Sequence, residues 1–156
     1  MSRRRKAVKR QIIPDPKFSN VLVSRFINSL IKKGKKSVAE KIFYGAIDIV
    51  IDKSDQDGIE VFQKAVENAK PMVMVRSRRV GGQTYQIPIE VRPEERTARS
   101  IRWIIRFASE RAERTMAERL ANEFMAAARG EGGAVRMRED VHRMADANKA
   151  FAHFRF

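Results

Sequence analysis

The sequence predicts a mainly α-helical protein: a bundle of six helices, one protruding two-stranded β-hairpin and a disordered basic N-terminal arm. Three observations predict it. Six stretches between residues 20 and 149 repeat apolar side chains at three- and four-residue spacing, the period of a helix with one buried face. Two β-rich runs within residues 72–91 flank Gly81-Gly82, and a Gly-Gly pair between such runs marks a hairpin, because the tight turn needs a positive φ. Residues 1–11 hold six cations and no acid. With 156 residues, a single domain spanning 1–156 with a core large enough to fold alone is expected.

The arm comes first. Arg3, Arg4, Arg5, Lys6, Lys9 and Arg10 cannot pack together and are expected to stay disordered until they meet an anion. Pro14-Asp15-Pro16 then stiffens the entry to the folded part. Helices one to three occupy residues 20–71. The first runs from Asn20 to Lys33, with Leu22, Val23, Phe26, Ile27, Leu30 and Ile31 as its stripe, Lys32 and Lys33 in its last turn and Gly34 at its stop. The second opens on a capping box, Ser37 with Glu40, and carries Ile42, Phe43, Ala46, Ile47, Val50 and Ile51. The third starts near Asp57, runs through Phe62, Ala65, Val66 and Ala69, and ends at Pro71.

The hairpin fills residues 72–91. Tyr85, Ile87, Ile89 and Val91 alternate with Thr84, Gln86, Pro88 and Glu90, the period of a strand with two unlike faces. Pro88 cannot donate within a central sheet, so an exposed two-stranded arm is expected. Arg76, Arg78 and Arg79 crowd the end of its first strand. Helices four to six fill residues 92–149. Pro93 fits the first position of the fourth, with Glu94 and Glu95 in its favourable first turn and Ala98, Ile101, Ile104, Ile105 and Ala108 as its buried stripe. Arg92, Arg96, Arg99 and Arg102 fall on another side of that helix, and Trp103, one position off the stripe, is expected to be partly buried. Thr115 with Glu118 caps the fifth helix, which carries Leu120, Ala121, Phe124 and Met125 and closes at Gly130. Gly132-Gly133 leads into the sixth, through Val135, Met137, Val141, Met144 and Ala145. Residues 150–156 form an aromatic and basic tail.

The charge narrows the function. Lys and Arg number 33 against 19 Asp and Glu, a net +14, which implies a polyanionic partner. The absence of cysteine excludes disulfides, thiol catalysis and thiolate zinc sites. No apolar run approaches the roughly 20 residues of a membrane span, and the basic N-terminus is followed by no apolar signal core. An intracellular protein without membrane attachment is expected.

Catalytic patterns fail in turn. His142 and His153 lie too far apart to share a helical zinc face. Asp55, Asp57 and Gly58 resemble a calcium loop, but that register puts Lys53 and Lys64 at ligand positions. No P-loop, dinucleotide fingerprint or nucleophile elbow occurs. No enzyme, cofactor or metal is expected. The cations concentrate instead in irregular or projecting elements: the arm, the Gly34-Lys35-Lys36 turn, the hairpin and the start of the fourth helix. Their arginine bias favours forked phosphate contacts and base stacking. Without a sequence-reading DNA module or RRM motif, the pattern fits a protein that holds folded RNA by shape and phosphate. A generic nucleic-acid chaperone needs the same surface but predicts indifference to RNA fold.

Ser77-Arg78-Arg79-Val80-Gly81-Gly82, followed by Thr84-Tyr85-Gln86 and Pro88-Ile89-Glu90-Val91, resembles the family of small-ribosomal-subunit protein seven, bacterial type. Further blocks carry the likeness along the chain: Arg3-Arg4-Arg5, Gly34-Lys35-Lys36-Ser37, Ala65-Val66-Glu67-Asn68, Ile101-Arg102-Trp103, His142-Arg143-Met144-Ala145 and Ala147-Asn148-Lys149-Ala150-Phe151-Ala152-His153. The resemblance implies a structural constituent of the 30S subunit in the cytoplasm, a primary binder of 16S rRNA that nucleates assembly of the head at the 3′ major domain. It also implies a place at the subunit interface near exit-site tRNA and the mRNA path, beside small-subunit proteins nine and eleven. Some bacterial relatives repress their own messenger RNA, and the longest carry a further tail beyond the point matching Phe156. On this likeness Arg3, Arg4, Arg5, Lys6, Lys9, Arg10, Lys35, Lys36, Arg76, Arg78, Arg79, Arg92, Arg96, Arg99 and Arg102 map to rRNA. Gly81, Gly82, Gln83, Arg143, Asn148, Lys149 and His153 map to the tRNA and mRNA side.

Overall fold

A computed structural model describes residues 10–154; the predicted arm cations Arg3, Arg4, Arg5, Lys6 and Lys9 lie outside them. Among the described residues are six α-helices, one two-stranded antiparallel sheet and a terminal 3₁₀ helix, the fold class expected. The described residues divide into two compact units on either side of the Glu40–Lys41 bond.

In the first unit, Asp15 is buried and organises the turn before the first helix. Its Oδ2 accepts from the Lys17 and Phe18 amides (both 3.1 Å) and its carbonyl from the Ser19 amide (2.7 Å). Helix α1 (Val21–Leu30) follows, with Asn20 as N-cap accepting from the Leu22 amide at 2.8 Å. It buries Val23, Phe26, Ile27 and Leu30 and ends three residues before Lys33, the predicted last residue. Ile31 leaves the helix at ψ 127°, and Lys33 and Gly34 take positive φ (54° and 75°). Lys32 and Lys33 therefore belong to the turn after α1, not to its last turn. Helix α2 (Lys36–Ser54) starts one residue before Ser37, so Ser37 sits inside the helix and the predicted capping box does not open it.

In the second unit, α3 (Gly58–Asn68) begins where predicted: Asp57 caps it by accepting from the Ile59 amide at 2.9 Å. Strands β1 (Val73–Val80) and β2 (Gln83–Glu90) pair through a two-residue turn in which Gly81 and Gly82 have φ of 57° and 89°. Both central residues at positive φ is the mirror-image turn that glycine adopts without a Cβ penalty. Helix α4 (Pro93–Ser109) has Pro93 in its first turn. It buries Ser100, Ile101, Ile104 and Ala108, while Ala98 is exposed and Ile105 half-buried. The stripe is thus rotated towards Ser100, whose hydroxyl is satisfied by donating to the Thr97 carbonyl.

Helix α5 (Met116–Arg129) carries the full predicted capping box. The Thr115 hydroxyl accepts from the Glu118 amide, and the Glu118 carboxylate accepts from the Thr115 amide. Gly130 ends it at φ 85°. Helix α6 (Gly133–Ala147) and the 3₁₀ helix Lys149–Phe154 complete the unit.

The core of this unit centres on Phe43, Phe62 and Phe124, all fully buried. Phe62 meets Phe43 and Phe124 edge-on at centroid distances of 5.2 and 5.3 Å, a geometry that adds to area burial. The helices are tied by polar links between distant residues. Asn68 Nδ2 donates to the Ala127 and Ala128 carbonyls (2.9 and 3.1 Å), satisfying the C-terminal end of α5. Arg138 Nη1 donates in turn to the Asn68 carbonyl at 2.6 Å.

Candidate nucleic-acid interface

Register decides where the hairpin cations point. Arg76 pairs with Ile87 and Arg78 with Tyr85, whereas Arg79 pairs with Thr84. Directly opposed residues share a face and neighbours along a strand do not. Arg76 and Arg78 therefore occupy one face of the ribbon and Arg79 the other. All three are exposed.

The ribbon is not a free arm along its whole length, as the sequence had suggested. Ile87 and Val91 are 3% and 2% exposed, and the base packs on α6 and the 3₁₀ helix. Pro88 is half-buried opposite Val75. Tyr85 lies 5.3 Å, centroid to centroid, from Phe151 in the tail. Gly81, Gly82 and Gln83 form the exposed tip.

At the hairpin base, Arg96 makes three side-chain contacts. Its Nε donates to the Val91 carbonyl (2.7 Å), Nη2 to Glu90 Oε1 (2.9 Å) and Nη1 to Met72 Sδ (3.1 Å). His142 accepts from the Met72 amide through Nε2 at 3.0 Å. A groove of about 490 Å³ opens here, lined by Glu67, Lys70, Met72, Pro93, Arg96, Arg138 and His142.

The other predicted cations divide between exposed and partly held positions. Arg92, at the N-cap of α4, and Arg102 are exposed; Arg99 is half-buried and approaches Glu95 at 3.9 Å. On α6 and the 3₁₀ helix that follows it, Arg143, Lys149 and His153 are exposed and Asn148 half-buried, its Nδ2 donating to the Met144 carbonyl. Arg10, Lys35 and Lys36 are exposed in the first unit, with Lys36 beside Glu40 at 3.5 Å. Trp103 is half-buried, as its place off the stripe predicted.

One charged group escaped the sequence reading. Glu123 is 1% exposed. Its carboxylate accepts from Arg111 Nε and Nη2 (2.9 and 2.8 Å) and from the Ala134 amide (3.0 Å) in the first turn of α6. Its spacing held a signal, since Glu123 lies three residues after Leu120 and so on the apolar stripe of α5.

Among the described residues no three His, Asp or Glu side chains gather as a metal site, and no helix is long and apolar enough to cross a membrane. The arrangement is that of a helical scaffold carrying an exposed cationic hairpin. The chain matches the family model for ribosomal protein S7p/S5e over residues 2–149. It is 58% identical to small ribosomal subunit protein uS7 of Marinobacter nauticus, 57% to that of Rhodospirillum rubrum and 56% to that of Syntrophus aciditrophicus. Each comparison covers all of both chains. The chain belongs to the ribosomal protein S7p/S5e family. It is a structural constituent of the small ribosomal subunit, which in bacteria lies in the cytoplasm, and it is not an enzyme.

Proposed function

We propose that this chain is a primary 16S rRNA-binding protein that nucleates assembly of the subunit head on the 3′ major domain. The hairpin tip and the tail would face exit-site tRNA and the mRNA path, and small-subunit proteins nine and eleven would be its neighbours. The observation that carries the reading is the two-faced cationic ribbon. Arg79 lies on the outer face of the ribbon, and Arg76 and Arg78 share the face of Ile87 and Tyr85 yet stay exposed, so the ribbon offers cations to RNA phosphates both on its outer face and beside the body it packs on. The buried base holds that ribbon, so little ordering entropy is lost on contact. Exposed Arg92 and Arg102 extend the phosphate contacts along α4. Lys35, Lys36 and the basic arm add a sequence-independent share. The same cations suit a structured segment of the chain's own messenger, which is the basis of a repressor role.

The test is a salt-titrated binding assay with the folded 3′ major domain and a shuffled RNA of equal length. A preference of several hundredfold that persists near physiological salt is expected. Each phosphate contact contributes about 0.7–0.9 to the slope of log K against log salt. Replacing Arg76, Arg78 and Arg79 together by Gln should therefore flatten the slope by about 2–3. An unchanged slope removes the hairpin from the interface, and equal affinity for both RNAs leaves a generic nucleic-acid coat protein. Competition between the 3′ major domain and the chain's own messenger tests the repressor role; no binding to the messenger refutes it.

A further inference from the structure

We infer that Met72 is a site of reversible two-electron oxidation by small peroxides, with Arg96 as the group that receives the new oxygen. Met72 is 55% exposed, the most exposed methionine among the described residues; Met144 follows at 44%, and Met74, Met116, Met125 and Met137 are half-buried. Met72 and Arg96 both line the groove of about 490 Å³ at the hairpin base, which is wide enough to admit a peroxide. Exposure is the first requirement for thioether oxidation. Met72 also has a feature that no described contact gives Met144: the Arg96 guanidinium donates to its sulfur at 3.1 Å.

The chemistry balances with hydrogen peroxide as oxidant. A sulfur lone pair attacks one peroxide oxygen, the S–O bond forms as the O–O bond breaks, and the proton of the transferred oxygen passes to the second oxygen, which departs as water. The products are one sulfoxide and one water. In the reactant, Arg96 donates to a weak thioether acceptor. The departing oxygen takes the electron pair of the broken bond, and as its proton is lost the transferred oxygen becomes the negative end of the S–O dipole beside the same N–H groups. A sulfoxide oxygen is much the stronger acceptor, so this contact strengthens from ground state to transition state, which is the condition for acceleration.

The position gives the modification a consequence. The Met72 carbonyl accepts from the Val91 amide (2.9 Å) and its amide donates to His142. Arg96 meanwhile holds Glu90 and the Val91 carbonyl. A sulfoxide would tighten the joint between hairpin and α4, and sulfoxide reductases could reverse it. This inference stands apart from the choice of RNA partner.

The experiment treats the full chain with limiting hydrogen peroxide and follows each methionine by peptide mass mapping. One hydrogen bond strengthened in the transition state predicts that Met72 oxidises about fivefold faster than Met144. In urea-unfolded protein, and in Arg96→Gln, the two rates should converge. Equal rates in the folded wild-type chain overturn the inference without recourse to any variant. A ratio that survives unfolding or Arg96→Gln assigns the preference to local sequence or exposure and overturns the role of Arg96.

Discussion

Replacing Arg111 by Met tests how the second unit is held together. Glu123 is 1% exposed, and its carboxylate accepts from Arg111 Nε and Nη2 at 2.9 and 2.8 Å. Its third hydrogen bond comes from the Ala134 amide, where the carboxylate also meets the positive end of α6. Gly132 leaves room for this: a Cβ there would fall 2.8 Å from Glu123 Oε1 and 3.0 Å from the Ala127 nitrogen. Taking away the guanidinium strands a buried carboxylate with one amide donor. Breaking a buried pair in this way costs about 3–5 kcal/mol. For a chain of this length each kcal/mol moves the melting temperature by about 2–4 °C, so a fall of roughly 6–20 °C is expected by thermal circular dichroism. Arg111→Met with Glu123→Leu should lose less than Arg111→Met alone, because no buried charge remains. A fall of only a degree or two for Arg111→Met would show the pair to be ornamental. Additive losses in the double variant would show that the two side chains do not act together.

Four further substitutions have defined outcomes. Thr115→Ala removes half of the α5 capping box and should cost about 1 kcal/mol in urea denaturation; no change would mean that water replaces the hydroxyl. Arg92→Gln should flatten the salt dependence of RNA binding by about 0.7–0.9 at unchanged melting temperature. Arg96→Gln should lower the melting temperature instead, because Arg96 bonds to Val91 and Glu90; equal melting temperatures would refute that division. The Glu113 carboxyl is held below the usual carboxylate range, first by the Asn122 amide donating to it at 2.7 Å, then by its own backbone N–H and Arg111, against the opposing effect of burial. A depressed folded-state value adds stability that is present above the unfolded value and lost as pH falls through the folded one. Asn122→Ala should therefore raise the Glu113 midpoint in an NMR titration and reduce the acid sensitivity of stability below about pH 4. An unmoved midpoint would assign the depression to the backbone N–H and Arg111.

What could be read from the sequence was local. The hairpin needed two glycines at positive φ between two strands, and both partners of the α5 capping box lie within four residues. What could not be read depended on partners brought together by folding. Asn68 caps a helix whose carbonyls lie 59 and 60 residues further along. His142 accepts from an amide 70 residues away, and nothing near it in sequence marks it as an acceptor. Glu123 was hidden for another reason: a carboxylate on an apolar stripe makes sense only once Arg111 is known to reach it. The misplaced start of α2 has a smaller cause. Ser37 and Glu40 have the right spacing, but the positive φ of Lys33 and Gly34 lets the helix begin at Lys36.

The same distinction sorts the cations. Composition counts 33 Lys and Arg alike, yet the fold gives them unlike work. Arg96, Arg111, Arg119 and Arg138 donate to carbonyls or carboxylates of their own chain. Each is committed to holding elements together, and an RNA phosphate would have to compete with a bond already made. Arg76, Arg79, Arg92 and Arg102 are exposed on elements whose backbones are fixed by strand pairing or by a helix. Their forks have less freedom to lose on meeting phosphate than side chains on an unstructured segment. The inward arginines thus lower the ordering cost that the outward ones would meet on binding, and the proposed RNA contact depends on both sets.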